Sequence, residues 1–145
     1  MLSPVNQEAI LVGGKVESTM YLPHKEEGSL TLCRIHLVPT VEAAAERVRT
    51  GEGKVGVVFI DTEEAGGAPD PQAVVQLVGT DDPAPVCVVV WTSGRGTSVR
   101  YEEAPVLVLP RPPGVPERHR QLAMAAAACG RGGPEEVRRV LSGAA

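Results

Sequence analysis

Hydrophobic positions along this chain gather into five short runs. They are Ala9 to Val12, Leu30 to Val38, Val55 to Ile60, Val86 to Trp91 and Val106 to Leu109. The third and fourth are continuous and rich in β-branched residues, as strands buried on both faces of a parallel sheet require. The second alternates only in part. Between the runs, apolar residues recur at helical spacing. Val41, Ala44, Ala45 and Val48 stand at i, i+3, i+4 and i+7, which predicts a helix over 41–49. Thr40 is its N-cap, and Gly51-Glu52-Gly53 closes it. A second helix is predicted over 72–78, started by Asp70 or Pro71, with Val74, Val75, Leu77 and Val78 inward. A third spans 117–129, where Pro116 suits the first turn and an alanine run follows. A short last helix covers 134–141.

Two stretches carry weaker patterns. In 15–28, Val16, Met20 and Tyr21 fall at roughly helical spacing, but Pro23 breaks any helix there. The expectation is a short or frayed helix followed by a loop over 24–28. The segments 63–71 and 94–104 read as loops, the second with at most one turn. Strands alternating with helices over short links predict an α/β fold with a parallel sheet. Five strands in a chain of this length suit a single-domain, three-layer, flavodoxin-like sheet with helices on both faces. The domain would cover 1–129, and 130–145 would be a C-terminal extension or short extra helix.

Composition narrows the functional classes. The chain has 145 residues, 43% of them apolar and 22% charged, with a net charge of −4. That charge, with no long basic run, argues against a nucleic-acid partner. No stretch approaches the ~18 apolar residues of a membrane span. A secretory signal is not evident. Cys33, Cys87 and Cys129 are odd in number and widely spaced, as for reduced core thiols in a cytoplasmic protein. Cys87, inside an apolar run, is a poor nucleophile. No CxxC pair exists and the histidines are scattered, so neither a metal site nor another cofactor is expected. Phosphate-loop and GxSxG motifs are absent.

The polar residues of interest end the strands. Asp61 closes the third run, Thr92 and Ser93 follow the fourth, and Arg111-Pro112 follow the fifth. Ligand sites of open α/β sheets lie outside the carboxyl ends of the strands. A carboxylate, hydroxyls and a cation therefore share one edge. Against this, Asp61 also suits the start of a loop, Thr92-Ser93 a local turn, and Arg111 an exposed base between prolines.

In this arrangement the chain resembles the receiver domain of bacterial response regulators, the phospho-accepting part of two-component systems, over roughly 9–129. Receivers end the third strand in the phospho-accepting Asp, the fourth in Thr or Ser, and the fifth in Lys-Pro. Asp61, Thr92-Ser93 and Arg111-Pro112 stand at these positions, with Arg in place of Lys. The resemblance also exposes departures. Receivers carry an acid pair for Mg²⁺ after the first strand, and Gly13-Gly14 stands there. The fifth strand lacks the aromatic switch residue, since Val106, Leu107 and Val108 are aliphatic. Pro23 interrupts the first helix, and the fourth is nearly lost.

The resemblance thus implies a degenerate receiver, or pseudo-receiver: a non-enzymatic signalling module in which Asp61 is no longer phosphorylated. It implies a regulatory protein partner, met through the fourth-helix, fifth-strand and fifth-helix face with Arg118, His119 and Arg120. A homodimer through that face is a further expectation. Two alternatives stand beside it. One is an atypical receiver phosphorylated on Asp61, with acids supplied by Glu17, Glu63 or Glu64. The other is a small nucleotide-binding α/β domain sited at Gly13, Asp61 and Thr92.

Overall fold

In a computed structural model, the described residues are 8–13, 15–26, 28–50, 55–64, 73, 74, 77, 86–92 and 106–143. They form an α/β fold around one mixed sheet of six strands. The strands are β1 (Glu8–Val12), β2 (Ser18–Glu26), β3 (Ser29–Val38), β4 (Val55–Asp61), β5 (Cys87–Thr92) and β6 (Val106–Pro110). Their order across the sheet is β2-β3-β1-β4-β5-β6. All neighbours run parallel except β2, which pairs antiparallel with β3. The helices are α1 (Val41–Thr50) and α2 (Val115–Gly143).

The four central strands behave as their apolar runs predict. Side chains alternate between two faces, and both faces are buried. One face carries Ala9, Cys33, Ile35, Val57, Phe59, Cys87, Val89 and Trp91 against α2. The other carries Ile10, Val12, Val38, Val58, Ile60, Val88 and Val90 against Ala44 of α1 and against Val74 and Leu77. Phe59 and Trp91 meet with ring centroids 5.1 Å apart and planes tilted by 56°. The Trp91 indole N–H donates to Gln121 of α2, so the largest core side chain keeps its polar edge satisfied. The Thr40 hydroxyl accepts from the Ala43 amide at 3.1 Å, the N-cap that its position predicts.

The segment 15–28 departs from expectation. Where a frayed helix is predicted, the chain forms strand β2, whose residues pair antiparallel with β3 as far as Glu26 with Ser29. Pro23 is compatible because β2 is an edge strand, whose outer side has no ladder to donate to. Met20 and Leu22 pack into the α2 layer, while Thr19, Tyr21, Pro23 and Lys25 stand on the opposite face. The period is therefore two, and the helical spacing of Val16, Met20 and Tyr21 is incidental. The sheet in consequence has six strands and is mixed, not five-stranded and wholly parallel.

No helix joins β1 to the parallel strand β3, so among the described residues the α2 layer is built from the C-terminus alone. This helical stretch breaks at Gly133 (φ 74°, ψ −166°), immediately before Pro134. The predicted helices over 117–129 and 134–141 are its two segments. Val137 and Leu141 of the second join the same core as Ala123 and Ala126 of the first.

One irregularity tightens this layer. Glu8 pairs with Val55 but Ala9 with Val57, leaving Gly56 as an extra residue on β4. Gly56 thereby turns toward α2, where a Cβ would fall inside the envelope of the Cys129 sulfur. The missing side chain permits the helix to seat.

Candidate functional site

Asp61 ends β4 and is 3% exposed. Its position follows from the sheet: β4 adjoins β1, from which the chain leaves toward β3 on one side and reaches β4 on the other. Such a point of reversal opens a crevice at the strand ends. Here Arg111 reaches in from beyond β6 to the acid. Arg111, one residue beyond β6, places Nε 3.0 Å from each Asp61 carboxylate oxygen. Its Nη1 lies 3.1 Å from Glu63 Oε2 and its Nη2 3.5 Å from Glu64 Oε1. All three guanidinium nitrogens thus face carboxylates. Asp61 Oδ1 also accepts from the amides of Glu63 at 3.2 Å and Glu64 at 3.4 Å, which folds the chain after β4 back over the acid.

The backbone from β1 closes the remaining side. Gly13 has φ 147°, a conformation that favours glycine, and its amide donates to Val38 O at 2.9 Å. A Cβ there would stand 2.9 Å from the Glu64 Cβ and 3.4 Å from the Asp61 Cβ. The end of β1 therefore packs directly on Asp61 and Glu64.

The strand-end hydroxyl is engaged elsewhere. Thr92 donates to the Leu109 carbonyl at 3.4 Å, and its own carbonyl accepts from the Arg111 amide at 2.9 Å. Thr92 thus fixes where Arg111 leaves the sheet, and its hydroxyl is not directed at Asp61. Thr62, which the strand-end pattern does not single out, donates to Trp91 O at 2.7 Å and ties the acid's loop to β5. Ser93 and Gly14 lie outside the described residues, as do most of the segments 63–71 and 72–78 and all of 94–104.

The candidate partner residues divide. Arg118 donates to the Pro112 carbonyl at 2.9 Å and its amide bonds Gly114 O, so it pins the turn between β6 and α2. His119 is half-buried and Arg120 exposed. Cys33, Cys87 and Cys129 are free thiols. Burial pushes Cys33 and Cys87 up to about 11, which keeps both protonated near neutral pH. Among the described residues no cluster of His, Cys, Asp or Glu is arranged to hold a metal ion, and no helix is long and apolar enough to cross a membrane.

Comparison with known proteins finds no matching family model, no matching curated protein and no matching solved structure. Function must be argued from the site. Its chemistry is that of a buried carboxylate with its counter-ion built in. A guanidinium only donates, so the Asp61 oxygens that face it serve as acceptors. Both Asp61 oxygens face Arg111, and Oδ1 accepts the Glu63 and Glu64 amides as well.

Proposed function

We propose that this chain is a non-catalytic signal-transduction module with a receiver-like fold, acting through protein–protein contact rather than Mg²⁺-dependent phosphorylation. The observation that carries this reading is the ion pair from Arg111 to Asp61, with Glu63 and Glu64 drawn onto the same guanidinium. Without β2, the strand order reads β3-β1-β4-β5-β6, the order of flavodoxin-like sheets. In this reading Asp61, Thr92 and Arg111 correspond to the receiver's acceptor, hydroxyl and cation positions. Phosphoryl transfer requires a divalent ion to neutralise developing charge. In this reading Arg111 stands in for that ion, and Gly13 packs where acids would have held it.

A partner face is available at the sheet's β6 edge. Val108 is 40% exposed and Val115 51%, and Arg120, five residues further along α2, is exposed as well. Apolar positions bordered by a base at a sheet edge suit a protein partner. The competing reading, an Asp61 phosphorylated with help from Glu17, Glu63 or Glu64, draws on acids of which Arg111 already engages Glu63 and Glu64.

Magnesium titration followed by amide resonances tests this directly. The Asp61, Thr62, Glu63 and Gly13 signals are expected to stay in place as Mg²⁺ is raised. Saturable shifts confined to these residues would restore the phosphorylated reading.

A further inference from the structure

His36 on β3 is 7% exposed, yet it is met by polar side chains from three other elements, two of them charged. Arg47 of α1 places Nη2 2.9 Å from His36 Nδ1. Thr19 Oγ1 of β2 is 3.5 Å from the same nitrogen. Glu8 of β1 has Oε2 3.8 Å from Nε2. The other Glu8 oxygen is held by Arg34 Nη1 at 2.9 Å, and Arg34 lies over the Tyr21 ring at 5.7 Å. Arg34 Nε is buried without a hydrogen-bond partner among the described residues.

This geometry fixes the tautomer. A guanidinium only donates, so Nδ1 must be the bare, accepting nitrogen and the imidazole proton must sit on Nε2, toward Glu8. The neutral ring thus joins α1 to the sheet. A proton added to Nδ1 would end the Arg47 bond and turn two donors toward each other. The cluster would then hold three cations, His36, Arg34 and Arg47, against the single carboxylate of Glu8. The helix that would be pushed off is held lightly, since Ala44 is its only fully buried side chain.

We propose that His36 is a proton-sensitive latch for α1: protonation on Nδ1 expels Arg47 and releases the C-terminal half of the helix from the sheet. The direction of the response follows from the surroundings. Burial, then the Arg47 charge, lowers the His36 pKa below its usual 6.5, and Glu8 opposes this only in part. A histidine depressed in the folded state favours folding fully above the unfolded pKa. That contribution is lost as pH falls from about 6.5 toward the folded value. The latch is therefore closed at neutral pH and opens in the mildly acidic range. Each unit between the two pKa values corresponds to about a tenfold change in the equilibrium.

Amide hydrogen exchange of the full chain at a series of pH values, corrected for the intrinsic rate, tests the latch. Protection at 44–50 is expected to fall severalfold between neutral and mildly acidic pH, while β4 and β5 stay protected. The His36→Gln variant, which cannot take up the proton, is expected to keep α1 equally protected across that range. Arg47→Gln removes the opposed cation, and the His36 ring signals are expected to titrate at higher pH than in the parent. Protection of α1 that does not change with pH, or that changes identically in His36→Gln, would overturn the proposal. So would an unmoved His36 titration in Arg47→Gln.

Discussion

Arg111→Ala is expected to destabilise the fold by about 3–5 kcal/mol, the usual cost of removing one partner from a buried ion pair. Urea unfolding measures it as a fall in midpoint at unchanged slope. Asp61 is nearly inaccessible, and without the guanidinium the donors it keeps among the described residues are the Glu63 and Glu64 amides. Two amides at 3.2 and 3.4 Å do not compensate a buried charge. The loss should be strongly non-additive. Combined with Asp61→Asn, the same substitution is expected to cost much less than the sum of the single changes, because no uncompensated charge remains. The outer contacts behave differently. Glu63 and Glu64 are more than half exposed, so Glu63→Gln and Glu64→Gln are each expected to cost less than about 1 kcal/mol.

Gly56→Ala is expected to cost about 1–3 kcal/mol, the range for overpacking a well-filled core. The bulge points position 56 at α2, and the added methyl would meet the Cys129 sulfur. The two residues should therefore be coupled. In a Cys129→Ala background, where the sulfur is gone, most of the Gly56→Ala penalty is expected to disappear. A double-mutant cycle read by denaturant unfolding gives the coupling. Full additivity would mean that α2 does not seat on β4 through this contact. The cycle also reports on the C-terminal layer as a whole, since Val137 and Leu141 reach the core only if the preceding segment is in place.

How much of this was legible in the sequence depends on how local the cause was. The runs at Val55 and Val86 read as buried strands because burial on both faces leaves an uninterrupted apolar stretch. The helix after Thr40 read correctly because its cap and its apolar stripe are both local. Strand β2 was hidden for a physical reason. Only one side of β2 meets the core, so Met20 and Leu22 alternate with Tyr21, Pro23 and Lys25, and a proline that argues against a helix is harmless on an edge. The strand-end triad was visible as residue types at one edge. The assignment of partners was not: Thr92 bonds Leu109, Thr62 bonds Trp91, and Glu63 and Glu64 turn to Arg111. Those choices depend on strand order and on the departure of Arg111 from β6. The bulge at Gly56 and the charges around His36 join residues distant in sequence, and no local pattern announces them.

The central claim is that Asp61 is held by its own cation and no longer accepts a phosphoryl group. Incubation with acetyl phosphate and Mg²⁺, followed by intact mass and peptide mapping, tests it most directly. The account predicts no mass gain on the Asp61 peptide. Stoichiometric, Mg²⁺-dependent labelling that is lost in Asp61→Asn would contradict it.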